Sequence, residues 1–432
     1  MKTIKIIQYL SLVFFVFVTS CGSDDNNAPD PVSEPDPVTN PDPVEENKSP
    51  ETFNLIALAD GEVDADIKPT FSWEVANDPD GDAVTYDLYL DSKNPPETLY
   101  SENINTTNLE TTERLGLLKN YHWKVVAKDD KGASTESAIH SFITRDLQMP
   151  NEPITLNAEF RTRRRASVVE FKDKLWVIGG NTDDFSDLND VWQSEDGVKW
   201  EQVTDEAPFS GRREHTSVVF DDKIWVIGGY NGDEYLNDVW YSNDGQNWTQ
   251  AAATAQFSGR GRHTSVVYNN KIWVIGGYNG TNNNEVWSSE DGITWTETKP
   301  VTSIFSERSL HTSVVFDDKL WVIAGTDDTR QNDVWYTEDG ENWTEVISSA
   351  PFAKRIRHTS VVYDNRIWLL GGAAPSSLND VWYSTNGTEW NQFTNNAPFS
   401  KRFDHISTVF KEKIWVIGGY DGSYLNDVWA FE

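Results

Sequence analysis

The chain has a single cysteine, Cys21, in 432 residues, so no disulfide can form within it. Basic residues are also scarce: 36 Lys and Arg stand against 69 Asp and Glu, giving a formal net charge of −33. A chain that acidic repels phosphate backbones, which excludes nucleic acid as an expected partner. Long stretches of apolar residues at helical spacing are lacking, which argues against a helical bundle. The apolar run near the start, Tyr9 to Val18, is too short to span a bilayer. What the chain does have is 19 Trp, 27 Gly and frequent Asn-Gly or Asp-Gly pairs. That combination predicts an all-β chain with many tight turns.

Lys2 and Lys5 precede the apolar run, and residues 1–20 read as a signal peptide. The run ends Val18-Thr19-Ser20-Cys21, which resembles the bacterial lipobox. The resemblance implies that Cys21 is lipidated and that the partner at this end is a membrane. The other reading is an ordinary signal peptide with a chance cysteine. Gly22-Ser23-Asp24-Asp25 resembles the surface-export signal of Bacteroidetes-type lipoproteins, which implies an outer-membrane, cell-surface location. Residues 21–50 are rich in Pro, Asp, Glu and Asn and cannot bury a core. They read as a disordered, extended tether.

Residues 51–146 hold short alternating runs separated by turn signals: Thr70–Val75, Val84–Leu90, Thr98–Ser101, Tyr121–Ala127 and Ile139–Ile143. Several strands in under a hundred residues predict a β-sandwich. With Trp73, Tyr86, Leu115, Tyr121 and Trp123 in their order, the stretch resembles a fibronectin type III domain, although the Pro and Thr of that family's Leu-to-Tyr motif are absent. Two acidic loops fall at one end of such a sandwich, one with Asp78, Asp80 and Asp82 and the other with Asp129 and Asp130. Clustered carboxylates suit calcium, and solvated acidic turns are the plainer expectation. No cofactor is expected.

From 153 to 432 the chain repeats itself. A double glycine, or Ala324-Gly325, recurs every 47–49 residues with its second member at 180, 229, 277, 325, 372 and 419. Each unit reads as four strands: a His-Thr-Ser-Val-Val-Phe type, a Lys-Ile-Trp-Val-Ile-Gly-Gly type, an Asn-Asp-Val-Trp type and one opening on a further Trp. This pattern resembles the kelch repeat and implies a six-bladed β-propeller, in which stacked blades cover each other's apolar faces. The second glycine never varies and is the better candidate for a backbone position that only Gly fits. The last unit lacks its fourth strand. Residues 154–160 resemble the missing piece, so 153–160 are expected to pair with the sixth blade and close the ring.

Comparing copies separates architecture from function. Arg163, Arg212, Arg260, Arg308, Arg355 and Arg402 recur in the link between units, followed in five of them by His215, His263, His311, His358 and His405. Residues present in nearly every blade are expected to build the blade, so the His set is not read as a metal site. The Asn and Asp before each third-strand Trp are expected to be turn and sheet-end residues. The varying positions are the site candidates: Tyr230, Tyr278 and Tyr420 after the double glycine, and Arg164, Arg213, Arg262 and Arg357 in the links, with Glu214, Leu310, Phe403 and Asp404 beside them. Similar positions contact ligands in kelch domains. The six link segments hold 14 of the 36 basic residues and three acids, so a basic ring favouring an anionic ligand is expected. The function read from all this is a binding module for a glycan, peptide or protein. The alternative is an enzyme on acidic sugars, such as a mutarotase or epimerase. The tyrosine–cysteine copper oxidases of the kelch family are excluded, because no cysteine is left once Cys21 is lipidated.

Overall fold

The computed structural model describes residues 46–301 and 304–432, and every regular element among them is a β-strand. Cys21, the signal segment 1–20 and all but the end of the 21–50 tether lie outside the described residues. Residues 49–432 form one compact unit.

The first part of that unit is built from two sheets. Leu55–Ala57, Thr70–Trp73 and Asn108–Glu110 form one. The other runs Glu62–Ala65, His140–Thr144, Asn120–Asp129, Val84–Asp91 and Leu99–Ile104, with Ser134–Glu136 on its side. Alternate residues of each sheet meet in a shared core: Phe71 and Trp73 from the first, and Tyr86, Leu88, Trp123, Val125 and Phe142 from the second. The Tyr121 hydroxyl accepts the Gly116 N–H at 3.1 Å, which ties the corner before that strand to the strand itself.

The second part is a closed ring of six antiparallel sheets. In the second blade the strands are Thr216–Phe220, Lys223–Tyr230, Tyr235–Ser242 and Trp248–Ala252, each paired with the next. Each innermost strand touches the innermost strand of the following blade, and the last, Ile406–Phe410, touches the first, Ser167–Phe171. The sixth blade has three strands of its own. Its open edge is covered by the chain entering the ring. Thr155 and Val428 exchange both backbone hydrogen bonds, at 3.2 and 2.8 Å, and Ala158 N–H donates to the Asn426 carbonyl at 3.1 Å. Closure starts earlier than the expected 153–160, because Gln148 already pairs with Glu432 at 2.7 Å. It is also a broken ladder and not a full strand: Pro150 and Pro153 fall between these contacts and have no N–H to donate. Phe160 lies edge-on to Trp200 at 5.1 Å, as Phe209 does to Trp248 at 5.2 Å, so the sequence alignment of these segments holds in space.

The missing hairpin of the sixth blade also explains where the two-sheet part docks. In five places a third-to-fourth-strand glycine lies against the second-strand Trp of the preceding blade. A Cβ on Gly245 would run into the Trp176 ring, and Gly387 stands likewise against Trp321. Those glycines therefore serve inter-blade contact as well as the tight turn. Trp368 has no such hairpin beside it, and it is fully buried in one cluster with Ile67, Leu117 and Leu147 from the other part of the chain. Around this contact Asp364 accepts Arg114 Nη1–H and the Leu117 N–H, both at 3.0 Å, and Arg366 pairs with Asp146 at 3.0 Å. Asp364 sits in the tight turn between first and second strands, so the docked face is opposite the one carrying the links between blades.

The double glycine separates into two roles. The first has φ of 53–60°, ordinary left-handed backbone, and Ala324 occupies that position at 54°. The second has φ of 95–107°. A Cβ at Gly372 would come within 2.7 Å of the His358 Cβ and 2.8 Å of the Ile356 carbonyl, whereas at Gly371 the nearest atom is 3.1 Å away. Gly371→Ala should cost about 1–2 kcal/mol, the left-handed penalty alone. Gly372→Ala should cost about 2–6 kcal/mol from backbone strain and overpacking together. Urea melts of the two variants check this ordering, and equal losses would contradict it.

Candidate functional site

One residue per blade forms the floor of the channel mouth: Arg165, Glu214, Arg262, Leu310, Arg357 and Asp404. All six have φ of 56–58°. Each N–H donates to the carbonyl of the preceding member, at 3.0–3.2 Å, and Arg165 donates to Asp404, so the backbone closes a hydrogen-bonded ring. Left-handed backbone in six non-glycine residues is costly locally, and this ring of bonds is what holds it. The side chains line a cavity of about 140 Å³ together with Ala166 and the five histidines that follow them.

The repeated residues are consumed by architecture. Arg308 is fully buried and forks onto both oxygens of Asp333 at 2.7 Å, donates to the Ala324 carbonyl at 2.9 Å and lies over the Phe305 ring. The same set recurs in the other blades, except that in the third Arg260 divides its outer nitrogens between Glu285 and the Asn283 side-chain oxygen. The Asp before each third-strand Trp is therefore the counterion of a buried arginine, not a turn residue as the sequence suggested. The Asn beside it is a clamp: Asn237 Nδ2–H donates to the carbonyls of Ala255 and Phe257 at 3.1 and 2.9 Å. Each histidine Nε2 meets a hydroxyl of the preceding blade, as His263 does Thr216 at 3.0 Å. Burial, with the charge of the neighbouring arginine, holds His215, His311 and His405 down to about 3 and His263 and His358 well below the ordinary imidazole value. These are neutral packing groups dispersed around the ring. At the seam between blades six and one the set is replaced together: Ala166 stands for His, Val168 for Ser and Ile406 for Thr, and the three pack in one apolar cluster.

The varying residues gather at the rim, where the sequence put them. Arg213 lies over the Tyr230 ring at 4.8 Å, Arg262 over Tyr278 at 5.0 Å and Arg164 over Tyr420 at 5.0 Å. Arg357 lies over Phe403 at 5.4 Å. The expected basic ring is corrected, because nearly every one of these arginines has a carboxylate. Arg213 is paired with Asp187, Arg161 with Asp184, Arg262 with Glu214, and Arg357 with Asp404. Arg165 reaches both Glu214 and Asp404 at 2.9 Å, and Arg164 approaches Asp404 at 3.9 Å. Both floor carboxylates are thus engaged by guanidinium groups.

Sequence comparison missed a third set of rim residues at the start of each third strand. Tyr235 bridges Tyr230 and Tyr278, with ring centroids 4.8 and 5.7 Å apart, and Tyr424 holds the other face of Arg164 at 4.8 Å. The signal was available, since the residue two before each Asn-Asp-Val-Trp varies as Asp187, Tyr235, Arg330, Ser377 and Tyr424. The rim is lopsided in consequence. Blades six, one, two and three raise aromatic and guanidinium groups, while blades four and five offer Ser309, Thr326, Ile356, Ala373 and Ser377 at the corresponding places, with Arg330 their one guanidinium there.

In the acidic loops of the other part, Asp78, Asp80 and Asp82 can bring ligand atoms within 4.8 Å of one another. Asp129 and Asp130 are not in that group. The loops meet through Lys131, whose ammonium pairs with Asp82 at 2.9 Å. The Asp78 and Asp129 carboxylates each cap backbone N–H groups of their own turns.

A closed ring of six repeated sheets, with invariant residues spent inside the blades and variable ones at one mouth, defines a β-propeller. The chain belongs to the kelch-repeat family: the model for the KLHDC2/KLHL20/DRC7 Kelch-repeats domain matches residues 125–325 and 288–432. No curated protein matches the sequence. Among solved structures it is similar to "Structure of YjhT", at 15% identity and a TM-score of 0.53, over 64% of this chain and 96% of that one. At that identity the likeness speaks to fold alone.

Proposed function

We propose that this chain is a lipid-anchored envelope protein, exposed at the cell surface, whose kelch propeller binds a glycan, peptide or protein ligand at the mouth formed by the inter-blade links. The observation that carries the reading is the division of labour among repeats. The repeated Arg, Asp, Asn and His are paired within or between blades, while the six floor residues, which differ, meet around one cavity and Tyr230, Tyr278, Tyr420, Arg164 and Arg213 differ at the rim beyond it. Conserved packing cannot account for side chains that change from blade to blade and stay partly exposed. The anchor rests on Cys21 and the acidic residues after it. A fibronectin type III assignment for residues 51–146 is supported by the two-sheet topology and by the Tyr121–Gly116 bond, the corner that such sandwiches use.

Glycan and peptide arrays probed with residues 49–432 test the binding reading. A captured ligand should lose at least about tenfold in affinity with Tyr230→Ala or Arg262→Ala, as expected for a stacked guanidinium at a binding site. A ligand bound equally well by both variants would move the site away from this mouth.

A further inference from the structure

The floor ring carries three cations and two anions, and its signs alternate around the mouth everywhere except at Leu310. In ring order the members are Arg165, Glu214, Arg262, Leu310, Arg357 and Asp404. Arg165 has a carboxylate on each side and uses both. Arg262 has one on one side only, Glu214 at 2.9 Å, and Arg357 likewise has Asp404 at 3.2 Å. On their other side both meet Leu310, which offers neither charge nor acceptor. Arg357 Nε is buried with no hydrogen-bond partner. Burial works against the Arg357 charge, Asp404 supports it, and the like charges of Arg165 and Arg262 press against it again. The uncompensated end is also the open one: the side chains of Arg262 and Arg357 are 27% and 20% exposed, against 5% for Glu214 and Asp404.

We propose that the mouth takes one monoanionic group, a carboxylate, seated over Leu310 between Arg262 and Arg357. This rests on the reading of the mouth as the ligand site and adds what its ligand must carry. A single negative charge completes the alternation and balances the ring. Guanidinium forks match the two oxygens of a carboxylate, so both arginines can donate to it. Leu310 gives the carbon that bears the carboxylate an apolar floor. The small side chains of Ser309, Thr326, Ala373 and Ser377 in blades four and five leave room beside the seat for the rest of the ligand. A dianion would overshoot the charge of the ring.

Bromide and acetate are the probes. Crystals of residues 49–432 soaked in sodium bromide should show an anomalous peak touching both guanidinium groups above Leu310, and acetate should displace it. Leu310→Glu supplies the missing anion from the protein itself; it should abolish the peak and weaken a carboxylate-bearing array ligand at least about tenfold. Its melting temperature should hold or rise. If that variant fails to fold, Arg357→Gln should likewise lose the peak. No peak in the wild type, or a peak that survives both substitutions, overturns the proposal. An array ligand sensitive to Tyr230→Ala but bound equally by Leu310→Glu leaves the mouth as a binding site and removes the carboxylate. A peak at Leu310 with array ligands indifferent to Tyr230→Ala and Arg262→Ala keeps the anion seat and overturns the binding reading.

Discussion

Taking the protein from pH 7 to pH 5 should remove much of its stability. Five buried histidines stay neutral in the folded ring, with values near 3 for three of them and well below the ordinary value for the others. In the unfolded chain each takes up a proton below about 6.5. Between those limits the unfolded state binds more protons, so stability falls as pH falls, and above about 6.5 these groups contribute no slope. Each of the three histidines held near 3 costs about 1.4 kcal/mol per pH unit, hence about 2 kcal/mol at pH 5 and about 6 kcal/mol for three, and His263 and His358 act in the same direction. That is comparable to the whole stability of a typical domain, about 5–15 kcal/mol. Urea midpoints measured from pH 7.5 to 5 check it. His311→Gln should be less stable at pH 7.5 and should lower the slope by about a fifth. A flat profile would mean that the ring accepts protons without opening.

Asp333→Ala should cost about 3–5 kcal/mol, because it strands the Arg308 guanidinium in the blade interior. Arg308 is 1% exposed and has both outer nitrogens on Asp333, and Trp335 Nε1–H also loses its acceptor, at 2.8 Å. Removing both charges at once, as in Arg308→Met with Asp333→Leu, should recover much of the loss, since the desolvation penalty disappears with the pair. A double-mutant cycle read by denaturant melts measures the coupling. Losses that simply add would show that the two side chains act independently.

The propeller was legible because its repeats are dictated by backbone and packing, and six copies average out local noise. The double glycine, the recurring Trp positions and the orphan segment ending at Phe160 all reappear in the structure with the roles their repetition implied. The role of the Asp before Trp was not legible. It lies 25–27 residues from its arginine in chain order, and only blade geometry brings a buried acid and a buried base face to face. The charge of the mouth was misread for the same reason: residues counted in one link are neutralised by Glu214 and Asp404 of other links and by Asp187 of a third strand. Tyr235 and Tyr424 escaped notice because each stands next to a repeated motif and was read as part of it. The covering of Trp368 by Ile67, Leu117 and Leu147 had no local signature at all.

The floor ring is closed by main-chain hydrogen bonds that do not depend on which side chains stand on it, and that makes its chemistry exchangeable. Any residue that tolerates left-handed backbone can occupy a ring position without altering the bonds that close it. Arg, Glu, Leu and Asp all do so here, and no β-branched residue appears among the six. Six sites, one per blade, can therefore change while the barrel of blades around them stays fixed, coupled to one another only through the ion pairs their side chains make. A lineage could retune what this mouth accepts by point substitution, and a designer could do the same, choosing at each step from the unbranched side chains.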